Sequence, residues 1–254
     1  MPALPLAERF LAALQARHGP GARIAPGQGA ALAALERLVA DLAASRRHRA
    51  RGPGIYLWGP VGRGKTLLMD VFAARLVELG IPCRRSHWHA FCGELQERLA
   101  ARSGQADPLA KVATALAREF RVLCLDEFHL HDLADGLILG RLLAALTAAG
   151  VAVVTTANRP PQTLIEDPIL ARRLEEPLRP LRERLQPVPV DTRHDYRETA
   201  CRQPGRYFQC LGPAGEQALG DFLGVRPGPP AIRLLQERPL CCRHASPELL
   251  WASF

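Results

Sequence analysis

The chain predicts an α/β fold: a mostly parallel sheet of about five strands flanked by helices, with a small irregular appendage toward the C-terminus. Three observations carry this expectation. From residue 54 to about 190, short apolar runs alternate with stretches of helical periodicity, the pattern of parallel strands joined by crossover helices. The loop GPVGRGKT, residues 59–66, directly follows the apolar run IYLW. A second apolar run, VLCL, ends in two carboxylates, Asp126 and Glu127.

Taken in order, residues 1–50 form an N-terminal helical segment, with helices near 6–17 and 30–44. The second places Leu32, Leu35, Leu38, Val39 and Leu42 on one face, and HGPGARIAPGQG between the two reads as a loop. The basic run SRRHRAR, 45–51, has no aromatic residues for base stacking and reads as a solvated linker. Residues 51–195 form the core. Its expected order is a strand over 55–58, a helix over 66–79, the strand IPCRRSHW, helices near 91–101 and 108–118, the strand VLCL, a helix over 132–149, the strand VAVVTT, a helix near 168–184, and PVPV. After Asp191 the chain turns Pro/Gly-rich, and RPGPP at 226–230 is a breaker, so 196–254 reads as the appendage.

The chemistry begins in the glycine-rich loop. Glycines at 59, 62 and 64 let the backbone turn tightly and aim N–H groups inward, a nest suited to phosphate oxygens. The spacing G-x-x-x-x-G-K-[ST] is that of a P-loop, so Gly59, Pro60, Val61, Gly62, Arg63, Gly64, Lys65 and Thr66 are the expected nucleotide-binding residues. Lys65 would reach the outer phosphates and Thr66 would offer its hydroxyl to Mg²⁺. The chain has 33 Lys plus Arg, yet its only lysines are Lys65 and Lys111. One of the two therefore falls where a compact ammonium is needed and a planar guanidinium would fit poorly.

A strand end is a costly place for buried charge unless something pairs with it. In a P-loop protein that partner is Mg²⁺, with Asp126 in the metal shell and Glu127 polarising a water toward the γ-phosphate. A carboxylate placed to activate water favours hydrolysis over phosphoryl transfer, because a small-molecule kinase must exclude water. The strand VAVVTT ends at Asn158, whose amide could bond both the attacking water and the γ-phosphate. The chain lacks N-K-x-D for guanine recognition and L-S-G-G-Q of transporter cassettes, which leaves an ATP-dependent protein of the AAA+ kind. His87 and His89 read as a same-face strand pair, engaged in packing rather than metal binding.

Composition sets outer bounds. The 254 residues, 48% hydrophobic, suffice for one good core and a small appendage. No apolar stretch approaches the roughly 18 residues of a membrane span. The N-terminal MPALPLAERFLAALQ is interrupted by Glu8 and Arg9, too early for a signal peptide, so a cytoplasmic protein is expected. Seven cysteines without C-x-x-C pairs indicate neither a disulfide framework nor a zinc site. The net charge of +8 permits an acidic partner, whether nucleic acid, protein or lipid surface, without choosing among them.

The stretches GIYLWGPVGRGKTLLMD, HWHAF, DPL at 107–109, VLCLDEFHLHDLADGLILGRLLAAL, VAVVTTANRPP and HDYRE together resemble the ZapE family of bacterial cell-division ATPases and their mitochondrial relatives. The similarity runs from about residue 25 to the end. Its most specific element is D-E-F-x-x-x-D-x-x-D, formed by Asp126, Glu127, Phe128, Asp132 and Asp135, followed by H-x-H-x-F at His87, His89 and Phe91. The resemblance implies an AAA+ core, ATP hydrolysis with Mg²⁺, and action on the acidic tubulin-like protein of the division ring. It also implies an arginine finger in the stretch ARRLEEP, 171–177, at Arg173 with Arg172 as the alternative, and hence a homo-oligomer. Family members usually continue past ELLWASF with a helix-rich segment, so a short C-terminal form is expected. Two other readings stay open: a helicase-loader-like ATPase linked to nucleic acid, and a nucleotide-switched adaptor without turnover.

Overall fold

The computed structural model describes residues 4–44, 54–130 and 133–191, then 231–235, 238–245 and 250–253 with a few scattered positions between 217 and 228. The runs SRRHRAR and HDYRE, and Asp132, lie outside the described residues. The chain divides into two compact units, 1–198 and 199–254.

In the first unit the helices α1 (Leu6–His18) and α2 (Pro26–Ala44) precede strand β1 (Gly54–Trp58) and helix α3 (Lys65–Glu78). Then come β2 (Cys83–His87), α4 (Trp88–Ala100), α5 (Pro108–Glu119), β3 (Val122–Asp126), α6 (Leu133–Ala148) and β4 (Ala152–Ala157). A short turn of helix at Pro161–Thr163, α7 (Pro168–Arg173), α8 (Arg179–Arg184) and β5 (Leu185–Pro189) complete it. All five strands run parallel in the order β2-β3-β4-β1-β5. β4 thus lies between the strand that feeds the glycine-rich loop and the strand that ends in carboxylates. All three present their C-terminal ends along one edge, where open parallel sheets bind ligands.

The central strands β1, β3 and β4 are apolar because both faces of the sheet are covered there. Every residue of β3 and β4 is buried, and the alternation of side chains sorts them between two cores. Ile55, Leu57, Cys124 and Val154 join Phe10, Leu35, Leu38, Leu68 and Phe72 on the face carrying α1, α2 and α3. Tyr56, Leu123, Leu125 and Val153 join Phe91, Leu116, Leu139 and Leu181 on the other face, carrying α4, α5, α6 and α8. Phe72 is fully buried on α3, so truncation to Ala should cost about 3–5 kcal/mol through lost transfer energy and the cavity left behind. α5 starts at Pro108, as expected for the helix near 108–118: Pro108 takes the first turn, where no N–H is needed, and the Asp107 carboxylate accepts from Ala110 N at 3.2 Å.

Four local expectations need correction. α2 begins at Pro26, not near 30, because proline at the first helical position is already set for helix and Gly27 and Gly29 do not stop it. The helix expected over 168–184 is two six-residue pieces. Pro177 and Pro180 lack N–H donors and cannot continue one helix, while Leu174 and Leu178 turn into the core between them. His87 and His89 do not share a strand face, since β2 ends at His87 and His89 lies in the first turn of α4. Among its described residues the appendage carries a regular sheet that its Pro/Gly content did not suggest. In the second unit β6 (Ala231–Leu235), β7 (Arg238–Ala245) and β8 (Leu250–Ser253) form an antiparallel sheet with an irregular register near Cys242.

Candidate active site

The glycine-rich loop is shaped by close backbone approach. A Cβ on Gly59 would sit 2.6 Å from the carbonyl oxygen of Val190, just past β5, so only glycine fits there. Gly64 caps α3 with φ +82°, a left-handed conformation that costs an L-residue about 1–2 kcal/mol. The first turn of α3, with Lys65 and Thr66, thus presents the N–H end of the helix and the positive end of its dipole to the loop. The Lys65 ammonium is buried. It donates to the carbonyls of Gly59 at 2.6 Å and Pro60 at 2.8 Å, and to Asn158 Oδ1 at 3.1 Å. One charge therefore ties the loop to the end of β4.

Behind the loop stands a residue that sequence reasoning missed. Gln28 on α2 is fully buried; its Nε2 donates to Arg63 O at 3.1 Å and its Oε1 accepts from Ala25 N at 3.0 Å. The available signal was a lone amide on the apolar face of PGQGAALAALERL. A buried amide needs partners, and here one of them is the P-loop backbone.

At the end of β3 the Asp126 carboxylate is 1% exposed yet held on both oxygens. Thr156 Oγ1, on β4, donates closely to Asp126 Oδ1, and the Glu127 N–H points to both that oxygen, at 3.2 Å, and Thr156 Oγ1, at 3.0 Å. Arg85 Nη2, on β2, reaches Asp126 Oδ2 at 3.2 Å and also pairs with Asp70 of α3. Thr156, Arg85 and Asp70 come from three elements, and no contiguous motif announces them. Glu127 leaves the strand with φ +56°, which no glycine relieves, and turns its side chain outward, 73% exposed. Tyr56, beneath the site, donates its hydroxyl to Arg159 O at 2.9 Å, and burial pushes that phenol well above its ordinary pKa.

Among the expected site residues, Lys65 and Asn158 bond directly, and Asp126 and Glu127, joined through Thr156, form a second bonded group at the neighbouring strand end. A cavity of about 630 Å³ opens beside them, lined by Glu127, Asn158, Arg159 and Leu164. Thr66 is exposed in the first turn of α3. Arg172 and Arg173 are exposed at the end of α7, which Asp167 caps at Ile169 N, 2.8 Å; neither arginine belongs to these two groups. No helix among the described residues is long and apolar enough to cross a membrane.

A parallel sheet with one strand inserted between P-loop and carboxylate strands, a lysine closing the loop, and an Asp–Glu pair at the strand end define a P-loop protein of the AAA+ class. Domain III of the Thermotoga maritima replication initiation protein DnaA shares the fold, with a TM-score of 0.50 and 15% identity over 84% of this chain and 73% of that one. The model of the AFG1-like ATPase family matches residues 10–254, and the chain belongs to that family. Over 206 residues it is 40% identical to the cell division protein ZapE of Escherichia coli K12, covering 79% of this chain and 54% of that protein. Over 178 residues it is 34% identical to lactation elevated protein 1 homolog B of Danio rerio, covering 65% of this chain and 35% of that one. The chain thus spans about half, or less, of the length of these relatives.

Proposed function

We propose that the chain binds ATP with Mg²⁺ at residues 59–66 and hydrolyses it, with Glu127 as the base that orients and deprotonates water. The observation that carries this reading is the pairing of two bonded groups at adjacent strand ends. Lys65 with Asn158 faces where a terminal phosphate would lie, and Asp126 with Thr156 fixes the backbone from which Glu127 projects. Asn158 then senses nucleotide state from the neighbouring strand end. The Thr66 hydroxyl and Asp126 carboxylate are hard oxygen donors of the kind Mg²⁺ prefers, and Asp126 is already oriented by its neighbours, so these two residues would hold it. Bound there, the ion would neutralise charge that develops on the phosphates.

Arg173, or Arg172 beside it, acts as the finger on a neighbouring subunit's nucleotide, which makes the working form a homo-oligomer. Support comes from their exposure at the end of α7. The cellular setting is the cytoplasm and cell division, with an acidic division-ring protein as partner. The similarity to ZapE and the net charge of +8 support this part.

The test is steady-state ATP hydrolysis across protein concentration, with and without an acidic protein polymer. Specific activity should rise with concentration and with polymer. Arg173→Ala should lower turnover by about 10³-fold while sparing affinity. Mixing it with Lys65→Ala subunits, which retain the finger's arginine, should restore part of the activity by supplying the finger in trans, and no rescue would leave Arg173 unassigned. Binding without hydrolysis at any concentration would replace this reading with a nucleotide-switched adaptor. Stimulation by single-stranded DNA that falls steeply with salt would replace the division-ring partner with nucleic acid.

A further inference from the structure

The HWHAF stretch has no part in the proposed hydrolysis as described so far, yet it lies in register along the segment of the proposed base Glu127. His87 Nδ1 is 4.0 Å from Glu127 Oε2. Trp88, 2% exposed, packs edge-on against Phe128, with ring centroids 5.0 Å apart and planes at 67°. His89 meets His129, with Nε2 to Nε2 at 2.9 Å, centroids 4.6 Å apart and planes at 76°. Residues 87, 88 and 89 therefore face residues 127, 128 and 129 in turn.

The last of these contacts has a chemical direction. His129 Nδ1 lies 2.6 Å from the carbonyl oxygen of Glu127. A carbonyl only accepts, so Nδ1 carries the hydrogen and donates. In the neutral ring Nε2 is then a bare lone pair, because an imidazole holds one N–H. The hydrogen between the two rings must in that case come from His89 Nε2. The sequence of donors runs from His89 through His129 to the Glu127 carbonyl. This matters because Glu127 sits at φ +56° with a side chain that is 73% exposed. Such a conformation persists only when its surroundings over-determine it. Thr156 and Asp126 hold its N–H side, and His129 holds its carbonyl side.

We infer that His89 and His129 are positioning residues for the glutamate that activates water, His89 acting through His129. α4 is anchored by buried Trp88 and Phe91, so the relay, though it runs along the surface, ties the Glu127 backbone to a packed helix start. This rests on the proposed hydrolysis reading.

The test pairs a spectroscopic readout with kinetics on the purified chain. Imidazole ¹⁵N shifts of the nucleotide-free protein should place the hydrogen on Nδ1 of His129 and on Nε2 of His89; the reverse tautomers would overturn the relay whether or not the chain turns over ATP. In turnover assays His129→Ala should lower kcat about tenfold, since small displacements of a reacting group are costly, with ATP affinity and thermal midpoint unchanged. His89→Ala should lower kcat less. The double variant should be no slower than His129→Ala alone, and His89→Gln, which keeps an N–H donor, should recover most of the rate. Losses that multiply, or that appear in affinity instead of kcat, would overturn the inference. A wild-type chain that binds ATP without turnover would instead sink the hydrolysis reading and leave the tautomer test standing.

Discussion

The two halves of the site are built by opposite means. The loop half, residues 59–66, is contiguous, made of backbone and stabilised by one buried ammonium. The carboxylate half is assembled from β2, β3, β4 and α3, and almost every contact in it is between side chains or from side chain to backbone. Backbone cradles can bind phosphate regardless of what neighbouring strands carry. A positioned base works only if several separate elements agree on its place. Binding should therefore be lost mainly by damage to the loop, and turnover by damage to the strand ends.

Substitutions that cross this division would break the comparison. The largest effect is expected for Glu127→Gln, which removes the proposed base and should lower kcat by about 10³-fold with nucleotide affinity intact. Lys65→Ala comes next. It deletes the charge that bonds the loop to Asn158 at the end of β4 and should weaken ATP binding about 100-fold, given about 1.5–3 kcal/mol for each hydrogen bond to a charged group; equilibrium titration with a fluorescent ATP analogue measures it. Thr156→Val keeps shape but leaves Asp126 Oδ1 and the Glu127 N–H without the hydroxyl, and should lower kcat about tenfold with little change in affinity. The smallest effect is assigned to Gln28→Ala. Loss of its bond to Arg63 O, half-buried behind the loop, should cost about 1 kcal/mol of stability, read by denaturant titration, with a modest rise in KM.

The same division explains what was legible in the sequence. Fold class followed from alternating periodicities, because parallel strands buried on both faces read as continuous apolar runs such as VLCL and VAVV. The loop was legible because its function is local. Asp126, Glu127 and Asn158 were found as polar residues ending apolar strands, and they do lie at neighbouring strand ends. Thr156 and Arg85 were not found, since strand order is set by non-local packing and a threonine in VAVVTT looks like any β-former. His89 was assigned to a strand because the break at His87 depends on Trp88 and Phe91 turning into the core to begin α4. The division of 168–184 was legible in principle, as two prolines interrupt it.

The measurement that most directly tests the division is ATP dissociation constant and kcat determined side by side for wild type, Lys65→Ala and Glu127→Gln. The prediction is that Lys65→Ala raises the dissociation constant, whereas Glu127→Gln binds ATP as wild type does and turns it over about 10³-fold more slowly. Equal loss of binding in both variants would contradict the account, since the loop and the strand ends could then no longer be assigned separate tasks.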